Sequence, residues 1–310
     1  IVIIQFIKFN SKQSKKLFLK KLSKKLLIIY ILICLITNIA RLIDENMYIH
    51  FVDVGQGDCT FIQTRNNKKI LIDGGGNEIG EDYVGENILL PYLLNRRSKV
   101  IDYIFISHFD SDHCQGLLYV MQDIKVKNVI ISKQFEYNEN YKKFLKIAKQ
   151  EKINIKIANK GDKIYIEKNL YFEVLWPDAL EPISDNKINN NSLVCKMVYK
   201  KFSMLFTGDI EKIAEEKIIE TYKNETNKLK ATIIKIPHHG SKTSSTMDFI
   251  EKVKPQEALI GVGKKNKFGH PAITTIQTLQ NQNIKIYRTD EMGEITIKTN
   301  GKKYKVTKLL

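Results

Sequence analysis

The sequence predicts an α/β protein, a four-layer α/β/β/α sandwich with an N-terminal hydrophobic segment ahead of it. Three observations carry this expectation. From residue 47 onward, short β-rich runs bounded by Gly and Asn alternate with helical stretches. Strands, a helix and more strands are then followed by a second half of similar order. Several strands are nearly all apolar and stop at loops carrying His and Asp, which suits two sheets packed face to face with their strand tips along one rim.

The elements follow in order. β-rich runs at 47–54, 59–64 and 69–72 are separated by Gly55-Gln56-Gly57 and Asn66-Asn67, and Asp73-Gly74-Gly75-Gly76 ends the third. A helix is expected at 82–95, then a strand at 101–107 whose apolar character makes it central. Residues 115–121 read as a helix, 126–132 as a strand and 138–152 as an amphipathic helix. Strands follow at 153–157, 163–166, 170–176, 192–199 and 202–206. The remainder reads as helix 211–222, strand 231–236, helix 244–253, strand 257–262, helix 273–282, and strands 284–288, 294–298 and 303–308. No Pro/Gly/Ser linker interrupts residues 47–310, so they are expected to form one domain.

Composition sets the wider limits. A hydrophobic fraction of 43% over 310 residues is ordinary for a chain that buries a core, which excludes disorder over most of the length. The formal net charge is +16, and Lys8, Lys12, Lys15, Lys16, Lys20, Lys21, Lys24 and Lys25 lie before residue 26 with no acid among them. Such a balance favours an anionic partner such as DNA, teichoic acid or lipid headgroups, although an AT-rich genome also raises Lys and Ile usage.

This basic flank, residues 1–25, runs into an uncharged stretch at 26–40. The stretch is longer than a signal-peptide core and shorter than a full span. An uncleaved membrane anchor is the first expectation, a cleaved signal the second and a buried or peripheral helix the third. Asn38 disfavours cleavage after Ala40, and Ile33 before Cys34 argues against a lipoprotein signal. Lysines on the N-terminal side place the rest of the chain outside the cytoplasm, so a bacterial extracytoplasmic protein is expected, anchored or secreted. The chain offers no multi-span channel. Cys34, Cys59, Cys114 and Cys195 match no zinc-ribbon spacing and read as small apolar residues.

The strongest chemical signal is Ser107-His108-Phe109-Asp110-Ser111-Asp112-His113, directly after an apolar strand. Imidazoles and carboxylates on one loop can surround a small volume, and without a cation they would repel or stay unpaired. The mixture suits zinc, manganese or iron rather than a calcium cage. A second apolar strand ends at Gly208-Asp209, where a carboxylate can bridge two cations. A third stops at Pro237-His238-His239-Gly240-Ser241. Of six histidines, His50 alone lies inside a strand and reads as structural.

With these residues in hand, the chain resembles the metallo-β-lactamase superfamily, whose signature loop is His-x-His-x-Asp-His. Asp110 stands where the second His would be. That variant is similar to the hydrolase domain of ComEC-type competence (DNA-uptake) proteins, and to bacterial phosphorylcholine esterases. Further likeness to the competence group lies in Phe51-Val52-Asp53-Val54-Gly55-Gln56-Gly57-Asp58, Leu71-Ile72-Asp73-Gly74-Gly75, Asn190-Asn191-Ser192-Leu193-Val194 and Phe268-Gly269-His270-Pro271.

The resemblance implies two divalent metal ions, zinc or manganese, and no organic cofactor. It puts His108 and Asp110 on one cation, and Asp112, His113 and one of His238 or His239 on the other, with Asp209 between. His238, nearer the strand end, is the first choice as ligand. Asp112, His239 and His270 are the candidates for catalysis, His270 as proton donor or substrate contact. Where the superfamily has a third His for the first metal, this chain offers Asn190, Asn191 or Ser192, which leaves that site looser. Asn191, Ser192, Ser241, Lys242 and Ser244 are candidate substrate contacts, since the Ser/Thr run at 241–245 precedes a helix and can hold phosphate; a plain N-cap is the competing reading.

The implied activity is a metal-dependent phosphodiesterase or nuclease acting on DNA or a related phosphodiester. A surface phosphoesterase on choline- or teichoic-type polymers is the alternative, and a β-lactamase comes third. A non-catalytic binder of DNA or wall polymer is a further class, disfavoured because a pure binder has no need for costly buried carboxylates.

Overall fold

Two sheets stack on one another because the strands alternate their apolar side chains between two cores. The computed structural model describes residues 12–43, 45–77 and 82–308. The chain divides into two units, residues 1–45 and residues 46–310.

The first unit contains helix α1 (Lys12–Ile43), which holds the uncharged stretch at 26–40. Leu26, Leu27, Ile28, Ile29 and Ile33 on it are exposed. No helix among the described residues is long and apolar enough to cross a membrane.

In the second unit the first sheet has eight strands. They are β1 (Met47–Phe51), β2 (Thr60–Gln63), β3 (Lys69–Ile72), β4 (Val100–Ile106), β5 (Lys125–Ser132), β6 (Asn154–Ala158), β14 (Ile295–Thr299) and β15 (Tyr304–Lys308), in the order β15-β14-β1-β2-β3-β4-β5-β6. The second sheet has seven: β7 (Lys163–Glu167), β8 (Leu170–Trp176), β9 (Val194–Tyr199), β10 (Phe202–Phe206), β11 (Ile233–Lys235), β12 (Glu257–Ile260) and β13 (Lys285–Arg288), ordered β13-β12-β11-β10-β9-β8-β7. Each sheet is antiparallel on one side and parallel on the other, the parallel pairs being β3-β4, β4-β5, β5-β6 and β10-β11, β11-β12, β12-β13. Parallel neighbours need crossovers, and helices on the outer faces supply them.

Those helices are α2 (Leu90–Asn95), α3 (Ser111–Asp123), α4 (Glu139–Gln150), α6 (Lys212–Thr221), α7 (Met247–Val253) and α8 (Ile273–Asn281), with short turns α5 (Lys187–Asn190) and α9 (Thr289–Met292). Ile49, Phe105, Phe172 and Met197 fill the space between the sheets. The rings of Phe105 and Phe172 meet there at 4.3 Å between centroids. Ile104, Ile106, Leu117 and Phe144 form a second core under the helices of the first sheet. Leu205, Ile234, Ile218 and Phe249 form a third under those of the second. The four-layer α/β/β/α sandwich expected from the sequence is the observed architecture.

Local differences have local causes. The single helix expected at 82–95 is a π turn (Gly85–Leu89) running into α2, with Pro91 in the first turn of α2. The helix expected from residue 244 starts at Met247, because Ser245 has a left-handed backbone (φ 62°) and Thr246 caps the helix by accepting from Phe249 N. The strand expected from residue 192 starts at Val194. Ser192 N is taken by Asn189 O in a turn, and Leu193 N bonds across to Ser107 O at 2.7 Å. His50 is held by Glu294 at 3.0 Å and Thr296 at 2.9 Å, a structural setting. All four cysteines are free thiols, and Cys59, Cys114 and Cys195 are buried.

Candidate metal centre

The tips of β4, β10, β11 and β12 meet at one rim, and each delivers a polar group. β4 leads through Ser107 and His108 to Asp110, which stands just before α3; its carboxylate makes no capping bond and is free for another use. Asp112 and His113 lie in the first turn of α3. β10 leads through Gly208 to Asp209. Gly208 has φ 54°, and a Cβ there would lie 2.6 Å from Ser192 Cβ, so only glycine lets this tip approach its neighbours. β11 ends at Lys235 and leads to the His pair.

His238 and His239 both adopt left-handed backbone, with φ of 49° and 51°. Non-glycine residues there cost roughly 1–2 kcal/mol each. The result is that the two rings part. His239 turns inward and is buried, while His238 stays near the surface, 3.9 Å from Asp209 and 3.5 Å from Glu211.

His239 Nδ1 donates to the carbonyl of Gly261 at 2.8 Å. His113 Nδ1 donates to Asp73 Oδ2 at 2.9 Å, and Asp73 Oδ1 accepts from Ser107 N at 2.8 Å. A carbonyl and a carboxylate only accept, so each ring keeps a proton on Nδ1 and turns its Nε2 inward, where a cation can take the place of a second proton. The two Nε2 atoms lie 3.2 Å apart. His113 Nε2 is 3.1 Å from Asp209 Oδ1; His239 Nε2 is 3.3 Å from Asp209 Oδ2 and 3.2 Å from Asp112 Oδ2. Separations of 3.1–3.3 Å match the ligand-to-ligand spacing around a tetrahedral cation with bonds of about 2.0 Å, the distance of a zinc–ligand bond. The residues fit a divalent cation.

Charge says the same. Burial works against an ionised His113 and His239, yet Asp209 with Asp73 around the first and Asp58 around the second holds both well above the usual imidazole range. Burial likewise opposes ionised Asp209 and Asp112, but the imidazoles, joined at Asp209 by Lys235, hold both below the ordinary carboxylate range. Carboxylates outnumber fixed cations here, so the pocket demands positive charge.

A second position lies beside the first. His108 Nδ1 is 2.9 Å from Ser107 Oγ, and His108 Nε2 is buried without a hydrogen-bond partner, 3.8 Å from Asp110 Oδ2. Burial lowers His108 to about 3 and raises Asp110 to about 6. The rings of His108 and His113 are 4.1 Å apart, and the Asp209 carboxylate is near enough to act on the charge of both His108 and Asp110. The side chains of Asp110 and Asp112 remain part exposed, so the centre opens to solvent on that side.

The remaining candidates take different places. His270 lies 5.6 Å from the His238 ring and 6.4 Å from that of His239; Asn266 Oδ1 accepts from its backbone N, and its Nδ1 is buried without a partner. Asn191 is engaged with Ile183 and Lys187, and Asn190 with Asp185 and Glu211, so both stitch a loop together. Ser192 Oγ accepts from Asp209 N at 3.3 Å, supporting the β10 tip. Ser244 Oγ donates to Pro237 O at 2.9 Å, Ser241 Oγ lies 3.0 Å from Thr243 Oγ1, and Lys242 is exposed. The backbone N–H groups of Ser245 and Thr246 bind the buried Glu215 carboxylate at 2.6 and 2.8 Å, so the anion held in this loop is the chain's own.

Three residues with no expected role also belong to the centre: Asp58, Asp73 and Lys235. Asp58, His113, Asp209 and His239 lie with ligand atoms within 4.8 Å of one another. Asp58, however, faces the Nδ1 side of both rings, at 3.8 and 3.6 Å, so Asp112 is the carboxylate on the Nε2 side. The available signal for all three was position. Asp58 and Asp73 adjoin glycine runs at strand ends, and Lys235 interrupts an apolar strand.

Comparison with known proteins identifies the family. A family model described as the metallo-beta-lactamase superfamily matches residues 52–264. ComE operon protein 3 of Bacillus subtilis is 34% identical over 258 residues, 80% of this chain and 32% of that protein. Competence protein ComA of Neisseria gonorrhoeae is 27% identical over 244 residues, 78% of this chain and 31% of that protein. The chain thus spans about a third of the length of these relatives, and the likeness to competence hydrolases read from its motifs holds. A solved mutant of the CmlA beta-hydroxylase is similar in fold, with a TM-score of 0.54 and 11% identity over 82% of this chain and 54% of that one.

Proposed function

Because the chain belongs to the metallo-beta-lactamase superfamily, we propose that it is a metal-dependent hydrolase cutting phosphodiesters, with DNA as the leading substrate. The observation that carries the metal reading is the pair of inward Nε2 atoms of His113 and His239, 3.2 Å apart between the carboxylates of Asp112 and Asp209. In this reading those four residues hold one cation, and His108 and Asp110 hold a second beside Asp209. Bound divalent ions, zinc or manganese, supply Lewis acidity and a water acidic enough to attack near neutral pH.

The chain's own residues do the rest. Asp73 and the Gly261 carbonyl fix both imidazoles, so the ligand set does not have to reorganise. Asp110 in place of a His makes the second position richer in oxygen, which favours a harder ion such as manganese there. His270 stands beside His239 at a partly exposed position, placed to hydrogen-bond the substrate or the leaving oxygen. Lys242, Lys264, Lys265 and Lys267 are exposed on the loops that carry the His pair and His270, a basic border suited to a polyanion.

DNA is preferred over other phosphodiesters because the relatives include a competence protein. Extracytoplasmic placement, anchored or secreted, belongs to the same proposal and rests on the lysine-rich flank before residues 26–40. The test uses the full chain with manganese or zinc on single-stranded DNA, double-stranded DNA and bis(p-nitrophenyl) phosphate. Cutting of at least one supports the reading, and failure on all three defeats it. Release of phosphocholine from a choline polymer without any cutting of DNA would transfer the activity to the alternative substrate class.

A further inference from the structure

Lys235 is a charge at the end of an apolar strand, buried to 2% exposure, and the proposed chemistry does not use it. Its Nζ donates to the Gly208 carbonyl at 2.8 Å, lies 3.2 Å from Asp209 Oδ1 and pairs with Asp58. Asp58 in turn sits behind both imidazoles, on the side away from their inward nitrogens. Removing an ammonium and a carboxylate from water is costly, and apolar residues of similar volume commonly serve a core as well or better. Packing alone therefore gives no reason for this pair.

We propose that Lys235, held by Asp58, is a positioning residue for Asp209 that assembles the cation site before a cation arrives. The inference rests on the metal reading above. Lys235 grips the β10 tip at two points, the carbonyl of Gly208 and the carboxylate of Asp209 itself. With Oδ1 held by Nζ, Oδ2 is left turned toward His239 Nε2 at 3.3 Å. Thr207 Oγ1 closes the arrangement by donating to the Lys235 carbonyl at 2.8 Å, lacing the β10 and β11 tips together. The ammonium is also a fixed counter-charge among four carboxylates, so those groups stay in place whether or not the site is loaded.

Orientation and charge pull affinity in opposite directions, and this makes the idea testable. Deleting the ammonium alone strengthens the local field for a cation. Deleting it together with the Asp58 charge leaves the net charge unchanged and removes only the hold on Asp209. The decisive variant is therefore Lys235→Met/Asp58→Asn in the full chain. Zinc and manganese affinity is measured by competition with a chromophoric chelator, beside the melting temperature of the metal-free protein. The expected result is a melting temperature close to that of the wild type and an affinity about 10- to 100-fold weaker, the range for losing an outer partner of a ligand. Wild-type affinity in the double variant would overturn the proposal and leave the pair a fold stabiliser. Where that double variant does not fold, Lys235→Gln/Asp58→Asn removes the same two charges with polar side chains and gives the same affinity criterion. A wild type that binds neither metal would instead defeat the metal reading itself.

Discussion

His113 and His239 face each other through Nε2 atoms 3.2 Å apart, each with Nδ1 already committed, to Asp73 and to the Gly261 carbonyl. Two inward ring nitrogens beside the carboxylates of Asp112 and Asp209 demand positive charge between them, which protons on the rings supply in the metal-free protein and a cation can replace. The expected outcomes below follow from that geometry and from the groups that hold it.

Asp112→Ala and Asp209→Ala should differ in stability while sharing a loss of function. Each removes a carboxylate from the Nε2 side, so metal content by elemental analysis and turnover should fall more than about 100-fold, beyond the loss expected for an outer partner. Asp112 is part exposed at the start of α3, and its variant should melt near the wild type. Asp209 is buried between Lys235 and His113, and its removal leaves the ammonium with Asp58 as its carboxylate partner and costs both groups a charged hydrogen bond, so this variant should melt lower, by about 1–3 kcal/mol in the metal-free protein.

The two neighbouring histidines should separate cleanly. His239→Ala should abolish binding of the cation shared with His113. His238→Ala should retain it within a few-fold, because the His238 ring stands 3.9 Å from Asp209 and outside the cluster of lone pairs. Elemental analysis of the two purified variants checks this. Equal loss in both would show that the left-handed turn as a whole, rather than one ring, carries the site.

Gly57→Ala should damage the centre without touching a ligand. Gly57 has φ 127°, and a Cβ there would lie 2.2 Å from the backbone oxygen of Asp112. The first turn of α3 would have to shift, taking Asp112 and His113 with it. A loss of about 2 kcal/mol or more in stability, read by chemical unfolding, should accompany weaker metal binding.

Glu215 gives a pH dependence of defined sign. Burial raises its carboxyl from 4.5 to about 7. The folded state then holds a proton that the unfolded state has released, so this group's contribution is fully present below about pH 4.5 and is lost as pH rises through about 7. The shift, already net of the two backbone donors that favour the charged form, corresponds to about 3 kcal/mol. Unfolding of wild type and Glu215→Gln at pH 5 and pH 8 isolates it. The wild type should lose stability relative to the variant at the higher pH, and a constant difference would refute the assignment.

Much of this was legible in the sequence because ligand types follow directly on apolar strands. His108 to His113 after β4, Asp209 after β10 and the His pair after β11 all sit at strand tips, and stacked sheets bring such tips to one rim. What resisted reading depends on backbone angles and on contacts between distant segments. Nothing in the dipeptide His238-His239 announces that consecutive left-handed residues send one ring inward and leave the other outside. Asp58, Asp73 and Lys235 act from behind the ligands, and residues 53–75 and 235 become neighbours only once the two sheets are stacked. The Ser/Thr run at 241–245 read either as a place for phosphate or as a plain N-cap, since sequence cannot show that Glu215 takes the N–H groups of Ser245 and Thr246.

The most direct test is anomalous diffraction at the metal edge from crystals grown with zinc or manganese. The account requires a peak within about 2.0–2.2 Å of His113 Nε2, His239 Nε2 and one oxygen each from Asp112 and Asp209. A well-ordered centre with no peak there, and the four side chains hydrogen-bonded to one another, would contradict it.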